Sequence, residues 1–151
     1  MMLTSTQIGE LTAQFFIAGI GTLSFAILFA CPRKSLPFCG LVGAVGWLIY
    51  ELAVMLDADS AAASLLAVIP LTILTRVFAI LLKTPVTVFL LSGIFPLVPG
   101  AGIYYTAYYF LRDDRTLFLN KGVETLKIAL ALALGIALVC SLPLPGREHK
   151  K

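Results

Sequence analysis

A chain of 151 residues that is 60% hydrophobic and only 13% charged is too apolar for a soluble domain, whose apolar share is about half. A one-domain membrane protein is the class that fits. The net charge of +3 is too small and too scattered to argue for a nucleic-acid partner, and most of the eleven Lys and Arg fall between apolar runs and in the tail, where topology signals belong.

About 20 apolar residues are needed to cross a bilayer as a helix. The first run, Leu11 to Ala30, stops at Cys31-Pro-Arg-Lys34 and lacks the basic leader and cleavage site of a signal peptide, so it is read as retained. The second extends from Pro37 to Leu56, before Asp57-Ala-Asp59, and the third from Ala61 to Leu82, before Lys83-Thr-Pro85. The fourth covers Val86 to Phe110 and the fifth Val123 to Leu142. This predicts an all-α integral membrane protein: a single five-span domain over residues 1–142 and a polar tail over 143–151. An odd number of spans places the termini on opposite sides. The Lys/Arg rule favours the N-terminus outside and the C-terminus in the cytoplasm, with Arg33, Lys34, Lys83, Arg147, Lys150 and Lys151 inside; the mixed segment Arg112–Lys121 is discordant. Cys31, Cys39 and Cys140 have no metal-ligand spacing and read as small apolar fillers.

The fourth run is the anomalous one. Pro96 and Pro99 lack a backbone donor, and Gly100 and Gly102 loosen the chain where a spanning helix should be continuous. An unpaired backbone group in hydrocarbon costs roughly several kcal/mol, so a broken helix persists at depth only where protein, water or a ligand satisfies it. The break at Pro96-Leu-Val-Pro-Gly100 is therefore a candidate site.

Other residues carry weaker signals. Gly40, Gly43, Ala44 and Gly46 in the second span, with Gly19 and Thr22 in the first, recur at a spacing that lets helix backbones approach closely. Arg76 lies inside the third span, where an arginine costs about 3 kcal/mol on insertion scales; it either anchors a ligand, pairs internally or reaches the interface. Thr72 and Thr75 either share its polar stripe or bond back to their own helix, and Pro70 is expected to kink that span. Glu51 is either a solvated interfacial acid or a proton carrier. Tyr104, Tyr105, Tyr108 and Tyr109 form two i, i+4 pairs, read as an interfacial belt or, for Tyr104 and Tyr105, as ligand contacts. Glu124 and Lys127 read as a local i, i+3 pair. Catalysis is not indicated: the only histidine, His149, is in the tail, and there is no nucleophile triad, metal cluster or phosphate loop.

In chain order, Phe25-Ala-Ile-Leu-Phe-Ala-Cys-Pro-Arg-Lys34, Cys39-Gly-Leu-Val-Gly-Ala-Val-Gly46, Arg76-Val-Phe, Lys83-Thr-Pro-Val-Thr-Val-Phe89, Phe95-Pro-Leu-Val-Pro-Gly100 and Tyr104 resemble the threonine/serine exporter family, in particular its small YjjB-type subunit, the five-helix C-terminal half of longer exporters. The resemblance covers nearly the whole chain. It implies an inner-membrane secondary exporter of small carboxylate metabolites, threonine- or serine-type amino acids or a dicarboxylate such as succinate. It also implies a second membrane subunit resembling the exporter's N-terminal half.

The resemblance does not assign binding residues; those follow from the physical reading. The expected substrate contacts are Arg76, Pro99, Gly100, Ala101, Gly102, Tyr104 and Tyr105, with Glu51 as the proton-coupling candidate and neither cofactor nor metal. A second half-helix beginning near Gly100 would point its positive dipole end at a substrate carboxylate, and Arg76 would hold that carboxylate bidentately. Straight helices would leave the two about 15 Å apart in depth. The alternative reading is a non-transporting scaffold subunit in which the glycine stripe is the working surface and Arg76 pairs internally. A pore of identical copies is poorly supported by such apolar spans.

Overall fold

The computed structural model describes residues 5–143. His149 and the basic tail residues Arg147, Lys150 and Lys151 lie outside the described residues. The elements are α1 (Ser5–Leu28), α2 (Leu36–Met55), α3 (Ser60–Leu81), α4 (Val86–Gly93), a 3-10 turn (Phe95–Leu97), α5 (Gly100–Leu111) and α6 (Arg115–Ser141). No strand occurs among the described residues, so the fold is all-α.

Helix ends follow local chemistry. The Asp59 carboxylate accepts from the Ala61 N–H at 3.4 Å, and the Asp114 carboxylate accepts from the Leu117 N–H at 3.1 Å, each supplying an acceptor to first-turn donors. Four helices close alike, on a left-handed residue: Ala30, Asp57, Lys83 and Asp113, with φ of 53°, 60°, 52° and 55°. At each, the next N–H reaches back to a carbonyl of the last turn: Cys31 to Ala26, Ala58 to Ala53, Thr84 to Ala79, Asp114 to Tyr109. The connections are thereby short and tight. Pro70 lies within α3, which continues through it as one helix.

Packing fixes the direction of each helix. Gln14 of α1 accepts a hydrogen bond from the Trp47 indole of α2 at 2.9 Å, while nearer the other end Gly19 lies against Gly40 and Ala44. These two helices are therefore antiparallel. The glycine stripe of α2 is split between partners: Gly40 and Gly43 face α1, and Gly46 faces Leu71 of α3. A Cβ at Gly43 would lie 2.6 Å from the Thr22 Cβ, so only glycine fits that approach. Gly93, in the last turn of α4, has the same relation to Val42 of α2, where a Cβ would meet Cγ1 at 2.5 Å. Two buried clusters result. Val42, Ala67, Val68, Leu71, Leu97 and Leu132 join α2, α3, the 3-10 turn and α6; Ala26, Cys39, Ala79 and Phe89 join α1 to α4.

Helix α6 lies against α3, with Gly135 beside Val68 and Leu65, and Arg76 reaching Val139 and Leu142. Asp59, Ser60 and Ala61 flank a cleft with Leu119 to Ile128. Hence α3 and α6 run in the same direction, from the end carrying Asp57 and Asp59 to the end carrying Lys83. The intervening chain must return from the Lys83 end to the Asp59 end, and α4 and α5 do so together with a bend of 57°. Four helices are long and apolar enough to span by themselves, and the bent pair makes the fifth crossing. The protein is a multi-pass membrane protein. The sequence boundary that moves furthest is that of the last span: α6 begins at Arg115 instead of Val123, because hydropathy marks where a helix enters hydrocarbon and Asp114 starts this one earlier.

Candidate functional site

The break is built in two halves that differ in support. Its first half is held firmly. Phe95 stacks on Phe25 of α1 with ring centroids 3.7 Å apart and lies 5.7 Å from the Phe29 ring, and Leu97 is buried. Pro96 sits at the start of the 3-10 turn, where its missing N–H costs nothing. Val98 is then extended (φ −64°, ψ 128°) and Pro99 leaves the helical region, which ends one helix and aims the next elsewhere.

The second half is open. α5 contains no buried residue. In its first turn the Gly100 N–H bonds to the Val98 carbonyl at 2.7 Å and the Ile103 N–H to the Pro99 carbonyl at 3.0 Å. The Ala101 and Gly102 N–H groups have no acceptor among the described residues. Gly100 and Ala101 are exposed, and nothing lies within 4 Å of where a Gly100 Cβ would be. Gly102 is pressed against Thr125 of α6, and Gly122 of α6 against Thr106 of α5, a crossed pair of glycine–threonine contacts. Thr125 adjoins Glu124 and Lys127, which face Asp59 across a cleft, so this first turn lies level with the Asp59 end of α3.

Beside the break, α5 and α6 enclose a groove of about 670 Å³ whose walls include Ile94, Val98, Pro99, Ile103 and Phe110. It is apolar. Its two threonines, Thr106 and Thr125, each donate to their own helix at 2.7 Å, to the Gly102 and Lys121 carbonyls. The polar groups on offer are instead the first-turn N–H groups outside the groove.

Arg76 is elsewhere. Its guanidinium donates to the Val139 carbonyl, which also accepts from the Leu142 N–H at 3.3 Å, and, at 2.6 Å, to the Leu142 carbonyl, so it ties down the C-terminal end of α6. Thr72 and Thr75, fully buried, donate to the Val68 and Leu71 carbonyls of their own helix at 2.7 and 2.9 Å. Gly102 is level with Thr125 and Arg76 with Val139, so the two are separated by roughly 20 Å along α6. The expected single wall formed by Arg76 and the break is therefore not assembled. Because α3 runs parallel to α6, Arg76 reaches the far end of α6 and not the break.

Glu51 is half-buried, four residues before the end of α2, with no hydrogen-bond or ion-pair partner among the described residues. The tyrosines stack in the two expected pairs, Tyr104 with Tyr108 and Tyr105 with Tyr109, at 6.3 and 6.2 Å. Tyr104 is 63% exposed and Tyr105 46%, so neither hydroxyl is enclosed. The expected Glu124–Lys127 pair is replaced by Lys121–Glu124 at 2.8 Å, which leaves Lys127 without an ion-pair partner among the described residues.

Two features were missed in the sequence. Cys31 and Cys39 both direct Sγ at the Val88 carbonyl, at 3.7 and 3.8 Å, tying the α1–α2 connection to α4. A cleft of about 310 Å³ opens at the Asp59 end between the start of α3 and α6, lined by Asp59, Ser60, Asn120, Glu124 and Lys127 among others. Its residues come from segments sixty positions apart, and no local spacing joins them.

Set against known families, the chain matches the one described as "Threonine/Serine exporter, ThrE" over residues 14–142, from within α1 to just past the end of α6. No solved structure matches it.

Proposed function

Because this chain belongs to the threonine/serine exporter family, and so to a class of membrane transporters, we propose that it is one subunit of a two-subunit exporter in the inner membrane. It moves small carboxylate metabolites outward, either threonine- and serine-type amino acids or a dicarboxylate such as succinate. The observation that carries this reading is the half-helix start at Gly100. Two donors, on the exposed Ala101 and the half-buried Gly102, are open level with the Asp59 end of α3. Hydrocarbon cannot cover them, so a second protein surface and a substrate carboxylate are what satisfy them, the carboxylate also meeting the helix dipole. Pro99 sets the direction of that turn, and Tyr104 and Tyr105 flank it one turn on.

In this reading Arg76 acts at the other end of the path, by holding the last turn of α6, where it can exchange the Leu142 carbonyl for a passing carboxylate. Glu51 is the proton carrier that couples export to the gradient. The N-terminus lies outside and the Lys83 end faces the cytoplasm, as the basic residues Arg33, Lys34 and Lys83 favour.

The internal bonding of Arg76 favours a second reading, a scaffold subunit that stabilises a partner without transporting. Efflux separates the two. Cells or vesicles loaded with labelled threonine, serine or succinate are compared with this chain, with a five-span partner, and with both. Export that requires both, and that Gly100→Leu abolishes while the complex still assembles, is the expected result. Export by the partner alone at the full rate sinks the transport reading in favour of the scaffold.

A further inference from the structure

We infer that Cys31 and Cys39 are an oxidisable thiol pair, and that their disulfide releases α4 from the α1–α2 connection. Cys31 follows the left-handed Ala30 that closes α1, and Cys39 lies in the first turn of α2. Both thiols point at one acceptor, the Val88 carbonyl in the first turn of α4, at 3.7 and 3.8 Å. The Cys39 thiol also meets the Cys31 thiol and the Ser92 hydroxyl. That acceptor is oversubscribed. The Ser92 hydroxyl already donates to the Val88 carbonyl at 2.9 Å, and a carbonyl oxygen has two lone pairs. Thiols are weak donors, so neither gains much from sharing it. What the arrangement does achieve is to hold two sulfurs side by side.

The two differ in access. Cys39 is fully buried in a cluster with Ala26, Ala79 and Phe89, whereas Cys31 is half-buried at the turn. A small oxidant such as hydrogen peroxide therefore meets Cys31 first. The Cys31 sulfur, on losing its proton, takes one peroxide oxygen, giving a sulfenic acid and one water. The Cys39 sulfur then attacks the Cys31 sulfur, forming the S–S bond and releasing a second water. The two thiols give up two electrons and two protons, and the peroxide carries both away as water. Each sulfur thereby loses the hydrogen it offered to Val88, and the thiol ties to α4 end. Because α4 leads through the 3-10 turn into α5, oxidation at the Lys83 end loosens the helix that carries the break. Cys140, exposed on α6, is the reference thiol.

The test starts from the purified full-length chain, freed of reductant, treated with hydrogen peroxide, alkylated and digested with trypsin. Arg33 and Lys34 lie between the two cysteines, so a Cys31–Cys39 disulfide joins peptides that are otherwise separate. That linked pair should be the main product and should disappear on adding dithiothreitol, with Cys140 still alkylated. In Cys39→Ser, Cys31 should stop at the sulfenic acid and be trapped by dimedone. In Cys31→Ser, Cys39 should be oxidised about tenfold or more slowly than Cys31 is in the parent chain. Deuterium exchange over Val86–Gly93 should be about threefold or more faster in the disulfide form, with α3 unchanged. The inference is overturned if Cys140 enters linked peptides as often as the other two, or if Cys39 is oxidised as fast without Cys31. It is equally overturned if the disulfide forms and exchange in α4 does not change. The decisive readouts are on the parent chain, so a variant that fails to fold does not rescue it.

Discussion

The α1–α4 core and the start of α5 are made of similar residues and use glycine differently. In the first region glycine is a contact. Gly43 admits Thr22, Gly46 admits Leu71, and Gly93 admits Val42, so backbones close to distances no side chain would allow. In the second region α5 has no buried residue and leans only on α6 among its neighbours of any extent, and Gly100 has open space around it. The same residue type therefore marks the tightest and the loosest places in one small protein. A membrane protein can afford the loose place only where something else completes it, because lipid cannot bond a free N–H. The packed region is a platform; the open region is the incomplete part.

The largest expected effect is on the platform. Gly43→Val should cost about 3 kcal/mol or more, since its Cβ meets Thr22 on a rigid neighbouring helix. Thermal unfolding in detergent reads this directly. A variant that unfolds at the wild-type temperature would mean the α1–α2 seam is slack and the contrast with α5 is not one of packing.

Next is Arg76→Gln. It removes charged donors from the Val139 and Leu142 carbonyls, each such bond being worth about 1.5–3 kcal/mol. Amide exchange over the last two turns of α6 should accelerate, with little change in α1 or α2. Arg76→Lys should recover only part of the protection, because an ammonium cannot match the planar fork that reaches two carbonyls. Uniform exchange across all helices in Arg76→Gln would show that Arg76 supports the whole fold instead of tying the end of α6 to it.

A smaller effect tests the joint between α5 and α6. Gly102→Ala should destabilise by about 1–2 kcal/mol through Thr125, and adding Thr125→Ala should restore most of the loss. Strict additivity in this double-mutant cycle would mean that α5 does not rest on α6 through this contact.

Much of the platform was legible in the sequence because its determinants are local or periodic. Asp57-Ala-Asp59 and Lys83-Thr-Pro85 mark helix ends, and the spacing of Gly40, Gly43 and Gly46 marks close approach, although not that Gly46 turns to a different helix. The break itself was legible for the same reason: Pro96 and Pro99 act on their own backbone. The partner of Arg76 was not. It is a pair of backbone carbonyls, Val139 and Leu142, and a carbonyl carries no residue identity that a sequence can display. The early start of α6 was hidden because Arg115, Asn120 and Lys121 bracket the short apolar stretch Leu117–Leu119 and separate it from the long run that follows. The cleft at Asp59 and Lys127 needed the parallel arrangement of α3 and α6, a tertiary fact.

The smallest effect on stability carries the most about function. Gly100→Ala places a methyl group where nothing lies within 4 Å and replaces glycine by a better helix former, so the isolated chain should be unchanged or steadier by up to about 1 kcal/mol. If the first turn of α5 is where a carboxylate or a second subunit approaches the Ala101 and Gly102 N–H groups, the same methyl group intrudes on that approach, and efflux should fall although the fold improves. Co-purification with the second subunit then assigns the loss. Retained assembly with reduced efflux places the substrate at the turn, and lost assembly places the partner there. Unchanged efflux with unchanged assembly would leave the opening at Gly100 without a functional role, and the comparison between the two regions would reduce to one of packing density.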